Sequence, residues 1–570
     1  MEKCKQELAN IVSKAACDLF APATLSPEEV RGMVEYPADG SMGDLALPCF
    51  KLSRTLRRPP AQIAQALAGV LSSPLFSSVE AVNGYLNFRL NGAALLSRMV
   101  QTVQEEGDLY GSPRCGEGKT VVLDYSSPNV AKPFHIGHLG TTVIGHSLKL
   151  LHEFAGYHCV GINHLGDWGT QFGKLIVAYR RWGSREAVEK DEIDELVRLY
   201  VRFHAEAEKD PALNDEARTE FTKLEHHDPE NLALWKWFIE ISLREYQKTY
   251  RMLGITFDSY NGESFYTDKM PAQVQKLRDM HLLQLDDGAS VVNLEQWKMP
   301  VCLILKRDGS TLYPTRDIAA AVYRAETYHF DKCIYVTSAG QSLHFAQWFK
   351  VVELMGYPWY NRLVHVPYGT VSVNGAKLAT RTGNVILLKD LFAEAIEKVT
   401  QVMTEKNPAL QGRTDIAEQV GVGAIVFYYL SNNRMRDINF SMDDALNFDG
   451  NTGPYAQYTY ARACSLLEKA GDIPAFTPGV AVTPEEGEVA KVLARFPEAV
   501  KSALADYEPS DVTRYILDLC AAFNRFYHNC QILSAPDDGT RSNRIALTAA
   551  VRTVLGRALH LICLSTPEKI

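Results

Sequence analysis

The sequence predicts an α/β protein: a doubly wound parallel sheet carrying a helical insertion, preceded by an α+β unit and followed by an all-α bundle. Three observations carry this prediction. Short apolar runs bounded by turn residues, KTVVLDYSS and HCVGINHL, alternate with helical stretches, the pattern of strand-helix-strand-helix units around a parallel sheet. Upstream of them, helical periodicity gives way to a proline-punctuated stretch, the strand-like VEAVNGYLNFRL and a helix over NGAALLSRMVQTVQEE. From about Leu391 to Ile570 nearly every window has helical spacing, as in IAEQVGVGAIVFYYLSNN and VTRYILDLCAAFNRFYHNC.

Three domains are expected from these shifts: residues 1–114, 115–390 and 391–570. The Gly- and Pro-rich YGSPRCGEGK reads as the first linker. In the middle domain, Val143, Ser147, Leu150 and Phe154 share one helical face, and Gly156 can close that helix. A second helix is expected over TQFGKLIVAYRRW. A charged helical stretch from about Glu186 to Arg251 then interrupts the pattern, within an insertion taken as 186–300. VCLILKR, KCIYVTS and RLVHVPYG are expected to complete the sheet after it.

With 570 residues, 46% of them hydrophobic, the chain can bury several cores. A net charge of -9 decides nothing about nucleic acid, because basic residues can gather on one face of an acidic protein. The 11 cysteines are odd in number and scattered, with no Cys-x-x-Cys pair. That argues against a disulfide framework and against a cysteine-rich zinc site, and no metal site is assigned. MEKCKQELANIV has no signal-peptide core, and apolar runs such as VGVGAIVFYYL are too short to span a bilayer. A soluble, cytoplasmic protein without membrane association, acting as a monomer, is the expectation.

The chemistry concentrates where the first buried strand ends. FHIGHL places His135 and His138 three residues apart where a loop enters a helix. A helix N-terminus offers free N–H groups and positive dipole to a phosphate, Gly137 lets a nucleotide approach the backbone, and two imidazoles can donate to charge building on the phosphate. Paired histidines at this spacing also fit a metal site or a plain helix cap. Further on, Tyr313 and Asp317 stand four residues apart, on adjacent turns if helical. On spacing alone, a helix cap and a core tyrosine are the plain readings of this pair. Gly421-Val422-Gly423 lies in a helical apolar segment and reads as packing.

The run SSPNVAKPFHIGHLGTTVIG, followed by NHLGDWGTQFG, resembles the active-site sequence of arginyl-tRNA synthetases. The likeness continues through YPTRDIAAAVYR, GQSLHFAQ, KLATRTGN and NTGPYAQYTYAR. The resemblance implies a Rossmann-like class I synthetase core, an α+β N-terminal tRNA-binding domain and a helical anticodon-binding bundle. It implies ligation of L-arginine to its cognate tRNA through an arginyl-adenylate, with ATP and Mg²⁺. A class I synthetase for another amino acid and a non-enzymatic RNA-binding paralogue are the alternatives.

Residue by residue, the resemblance assigns His135, His138 and Lys132 to catalysis. Ser127, Asn129, His138, Tyr313, Asp317 and Gln341 would bind arginine, with Asn129 and His138 at its α-amino and carboxylate end. His135, Gly137, His138, Gly166, Asp167, Gly169, Gln171, Lys377 and Arg381 would bind ATP. The second class signature is degenerate: Lys377-Leu378-Ala379-Thr380-Arg381 has Thr380 where its second lysine is expected. Lys132, just before the histidines, is expected to stand in as a point charge. Paired buried polar groups reject imperfect analogues without editing, so no editing barrel is expected in the insertion.

For tRNA, the resemblance points to Asn83, Tyr85 and Asn87 on an N-terminal sheet surface; Lys51, Arg54, Arg57 and Arg58, clustered just upstream, are read as phosphate contacts. Arg434, Arg436, Tyr455, Tyr458 and Arg462, with Tyr460 beside them, are the expected contacts of the helical part. Aromatic residues in helices serve equally as core, and basic residues as a solvated face.

Overall fold

The computed structural model describes residues 1–373, 376–377, 386–406, 412–448 and 450–570. Lys377 lies there in backbone only, and Arg381 falls outside the described residues.

The N-terminal sheet is antiparallel, in the order β1-β3-β2, from β1 (Leu45–Pro48), β2 (Phe76–Val82) and β3 (Tyr85–Leu90). Asn83 and Gly84 join β2 to β3 at φ 51° and 80°, the left-handed pair that a two-residue hairpin turn needs. Helices Glu2–Leu19 and Pro60–Ala68 flank this sheet, and helix Gly92–Glu106 leads out of it.

The central sheet is parallel: β4 (Thr120–Asp124), β5 (His158–Ile162), β9 (Lys332–Ser338) and β10 (Leu363–Tyr368), in the order β10-β9-β4-β5. From β4 the chain first builds outward to β5 and later returns to β9 on the other side. The crevice between β4 and β9, at their C-terminal ends, is therefore a topological switch point, where ligands bind in open α/β sheets.

Between β5 and β9 lie helices Thr170–Trp182, Arg185–Lys209, Ala212–Glu225 and Pro229–Met252, as the charged pattern predicts. They are followed by a small antiparallel sheet of β6 (Leu283–Asp286), β7 (Ala289–Val292) and β8 (Cys302–Leu305). Here one expectation fails: the VCLILKR strand, β8, pairs with β7 rather than joining the parallel sheet. A short apolar run fixes a strand but not its partner.

Helix Leu139–Phe154 differs too. It is buried nearly all round rather than along one stripe, because helix Asp538–Leu561 covers its outer side; the Ser147 hydroxyl donates to Leu561 O at 2.7 Å. Beyond β10, the short strands β11 (Val371–Val373), β12 (Ala376–Lys377) and β13 (Ile438–Phe440) form a third small sheet. The C-terminal part is helical, with long helices at Leu388–Lys406, Thr414–Leu430, Gly453–Ala470, Pro484–Asp506, Ser510–Asn529 and Asp538–Leu561. A Cβ on Gly421 would stand 3.0 Å from Ile396 N, so this glycine serves helix packing. All eleven cysteines are unpaired, and among the described residues no helix is long and apolar enough to cross a membrane.

Candidate active site

The loop leaving β4 is bent by three non-glycine residues in the left-handed region: Ser126 (φ 70°), Ser127 (φ 47°) and Ala131 (φ 58°). Such backbone persists only where the surroundings hold it, and it gathers at functional sites. The holding contacts are specific. Ser126 Oγ lies 2.8 Å from Thr142 Oγ1 and 2.7 Å from the Tyr250 hydroxyl. Ser127 Oγ donates to Asp124 Oδ1 at 2.9 Å and accepts the His164 N–H at 3.1 Å. Tyr246 donates to the carbonyls of Asn129 (2.8 Å) and Lys132 (2.7 Å), pinning the loop at both ends of its last bend.

His135 and His138 sit at the end of this loop on the turn Ile136–His138, which runs into helix Leu139–Phe154. His135 Nδ1 accepts the Gly137 N–H at 3.1 Å, and His138 Nδ1 accepts the His135 N–H at 3.2 Å. Both protons must then be on Nε2, with Nδ1 bare. Burial holds both rings neutral: His135 is pushed down to about 4, helped by the charge of Lys132, and His138 to about 3. This corrects the idea of free amides at the helix start. The Gly137 N–H is taken by an imidazole, and the His138 N–H by His135 O at 2.8 Å. The cap reading holds through Nδ1, and the proton of each ring stands on Nε2.

The segment after the second signature is tied to the first. Ile136 N–H donates to Ile386 O at 3.0 Å, and Leu388 N–H donates to Phe134 O at 2.9 Å. Lys132 is half-buried beside His135 and makes no salt bridge among the described residues.

The loop after β5 lies alongside. Gly166 pairs with Asn129, and a Cβ there would collide with Asn129 Oδ1. Gly166 thus makes room for that side chain rather than for open space. Gly169, at φ 130°, caps helix Thr170–Trp182 and has nothing within 4 Å of its Cβ direction, so it is the glycine that leaves room. Gln171 Nε2 reaches Gly166 O at 3.4 Å. Asp167 is buried and accepts from the Ser264 N–H (2.8 Å) and hydroxyl (2.6 Å). Its carboxylate ties the loop to residues 262–264. No local pattern foretells this, because the partner is 97 residues away.

Helix Tyr313–Tyr328 and helix Ser342–Leu354 line the other side. Tyr313 is 65% exposed and Gln341 exposed, so neither is a core residue here. Asp317 Oδ2 accepts from His344 Nε2 at 2.6 Å. Arg316 pairs with Glu263 at 2.6 Å. Burial raises the Glu263 carboxyl to about 7 despite the guanidinium beside it, with Asp167 and Asp317 pushing the same way. His344 and Glu263 were not singled out by sequence reasoning. His344 sits in the quoted GQSLHFAQ, three residues past Gln341; Glu263 has no motif of its own. Among the described residues, no group of three His, Cys, Asp or Glu is placed to hold a metal.

The expected RNA contacts divide. Asn83 is exposed at the hairpin tip, and Tyr85 is half-buried, edge-on to Phe50 at 5.4 Å. Asn87 is only 4% exposed, hemmed in on the central strand β3 between β1 and β2, on the same strand face as Tyr85 and Arg89. Arg434 is corrected. Its guanidinium donates to Pro367 O (2.7 Å), Tyr507 O (3.1 Å) and Asp506 O (3.4 Å), fastening β10 to the end of helix Pro484–Asp506. Arg436 is exposed. Tyr455 accepts from Asn524 at 3.0 Å, and Tyr460 is half-buried. Arg462 lies between the exposed rings of Tyr458 (5.1 Å) and Tyr527 (4.7 Å), a cation-π stack.

A parallel sheet whose switch point meets a paired-histidine turn at a helix start defines a class I tRNA synthetase catalytic domain. The family model for the class I (R) catalytic domain matches residues 99–442. Models of the arginyl-tRNA synthetase N-terminal domain and of the DALR anticodon-binding domain match residues 2–90 and 456–570. The arginine-tRNA ligase of Alkaliphilus metalliredigens is 48% identical over 96% of this chain and 97% of its own. That of Clostridium perfringens is 49% identical over the same shares. The solved arginyl-tRNA synthetase of Thermus thermophilus superposes with a TM-score of 0.80 at 25% identity, covering 99% of this chain and all of its own. The chain belongs to the arginyl-tRNA synthetase family.

Proposed function

We propose that the chain attaches L-arginine to tRNA(Arg) in two steps, forming arginyl-adenylate from ATP and then esterifying the 3′-terminal ribose of the tRNA. The observation that carries this is the pair of neutral Nε2–H donors on His135 and His138, fixed at the switch point with the Asp317 carboxylate across the crevice. In the first step the arginine carboxylate attacks the α-phosphorus and pyrophosphate leaves. The imidazoles donate to the charge that builds on the phosphate oxygens, and Lys132 neutralises the triphosphate from the loop side. No side chain acts as nucleophile; positioning supplies the rest. ATP arrives as its magnesium complex and is a substrate.

Asn129 and His138 hold the amino-acid head, with Ser127 shaping the loop. Asp317, Tyr313, Gln341 and Glu263 surround the guanidinium. Asp317 Oδ1 is the oxygen turned to it, since Oδ2 serves His344. Gly169 and Gln171 flank the adenosine, with Gly137 and Gly166 in the backbone around it and Lys377 and Arg381 over the phosphates. Asn83 and Tyr85 meet the tRNA at the N-terminal hairpin, and Arg436, Tyr458 and Arg462 meet it on the helical part. The units 1–114, 115–390 and 391–570 divide these tasks in a cytoplasmic monomer.

An amino-acid panel with purified tRNA tests the reading. Arginine alone should be charged, and Asp317→Asn should raise its KM roughly thirtyfold or more, the low end of the cost of removing a paired charge, since Asp317 is partly exposed. Charging of another amino acid, or none, would sink it. Rapid arginine-dependent pyrophosphate exchange without tRNA would remove the family expectation that tRNA binds before activation.

A further inference from the structure

Arg324 is 1% exposed and lies on helix Tyr313–Tyr328, seven residues past Asp317 and so on the same face. Its Nη2 reaches across to the end of β4, pairing with Asp124 Oδ2 at 2.8 Å and lying 3.3 Å from His164 Nδ1. Asp124 uses its other oxygen to accept from Ser127, whose hydroxyl oxygen in turn accepts the His164 N–H. Three stretches that build the crevice therefore meet at one buried guanidinium: the left-handed loop after β4, the loop after β5, and the helix bearing Tyr313 and Asp317. The Tyr335 ring, 5.4 Å away, covers a further side, and among the described residues Nε and Nη1 find no hydrogen-bond partner. An ion pair so placed is weak evidence for stability; what it does fix is geometry.

We propose that Arg324 is a positioning residue that sets the span of the arginine pocket. Through Asp124 and Ser127 it fixes the loop that carries Asn129, the end that takes the amino-acid head. Through its own helix it fixes Asp317, the end that takes the guanidinium. The distance between the two ends is the length of side chain the pocket accepts. This inference rests on the proposed roles of Asn129 and Asp317.

The test compares charging with arginine and with homoarginine, one methylene longer, in wild type, Arg324→Lys and Ser127→Ala. Melting by circular dichroism establishes that each variant is folded. One methylene is worth about 10–200-fold in kcat/KM in a fitted pocket. In Arg324→Lys this preference should fall at least about fivefold, through KM for arginine, with KM for ATP little changed. An unchanged preference in the folded variant, or equal losses for both amino acids and ATP, would overturn the proposal. Should Arg324→Lys fail to fold, Ser127→Ala carries the test, since it cuts the same chain of contacts without stranding a buried charge; an unchanged preference there would overturn it equally. Failure of the pocket reading itself is distinct, because Asp317→Asn would then leave the arginine KM unaltered.

Discussion

His138 accepts the backbone N–H of His135 through Nδ1 at 3.2 Å, so the two rings are fixed relative to each other before any substrate arrives. Their centroids are 4.0 Å apart. What each ring then has left for a partner is one Nε2–H and no charge. An amide can mimic that donor. His138→Asn and His138→Gln should keep more activity than His138→Ala, whose adenylate formation should drop about 10²–10³-fold, the usual cost of losing one such donor. Single-turnover adenylate formation measures this; equal losses in all three variants would mean the donor is not what matters.

Lys132 should contribute through charge alone. Lys132→Ala is expected to slow charging on the order of 10²-fold and to raise the KM for ATP, with Lys132→Arg recovering part of it. Tyr246→Phe is the companion variant, since it frees the Lys132 carbonyl without touching the charge; it should cost about 1 kcal/mol in stability and less in rate. A wild-type rate in Lys132→Ala would remove the lysine from the mechanism.

Gly166→Ala tests whether that glycine serves Asn129 or ATP. Its added methyl would displace the Asn129 side chain, so the KM for arginine should rise while the KM for ATP holds. The reverse pattern, measured in the same steady-state assay, would restore Gly166 to the nucleotide.

Arg434 and Arg436 are two residues apart and should behave differently. Arg434→Ala strands three carbonyls at a domain junction and should cost about 1–3 kcal/mol, seen as a lowered Tm. Arg436→Ala should leave Tm alone and weaken tRNA binding with a shallower salt dependence. Filter binding at several salt concentrations, beside thermal melts, separates the two.

Stability should fall as pH falls from about 6.5 to 4. Burial holds His135, His152, His164 and His365 at about 4, and His138 and His146 at about 3. Unfolded, each binds its proton near 6.5, so in this window unfolding takes up protons and acid favours it. Glu263 runs the other way: raised to about 7, its contribution is present below 4.5 and lost as pH rises to 7. Asp167, Glu225 and Asp518 are raised by burial in the same sense as Glu263, but the lowered histidines, with His204 and His560 among them, outnumber these carboxyls and leave a net gain of stability toward neutrality. Tm measured from pH 4.5 to 7 should rise, and His146→Gln should flatten the slope; a level profile would contradict the burial of these rings.

Much of this was legible in the sequence, and the reason is locality. The strand-turn-helix around FHIGHL and the helical C-terminal part follow from residues close along the chain, whose spacing fixes local backbone and period, whereas VEAVNGYLNFRL, read as one strand, is two, turned at Asn83-Gly84. The family resemblance rests on contiguous runs of the same kind. The fates of Asp167 and Arg434 were decided by partners 67 to 97 residues away, and β8, though its partner β7 is near in the chain, carries no local pattern that names it. The sequence by itself determined which residues carry donors, charges and bends, because those are properties of single side chains and short segments. Only the tertiary structure decided which of them stay available. Packing gave Asp167 to Ser264, Arg434 to three carbonyls and Asp124 to Arg324, and it spent Nδ1 of His135 and His138 on the backbone so that each ring keeps its proton on Nε2.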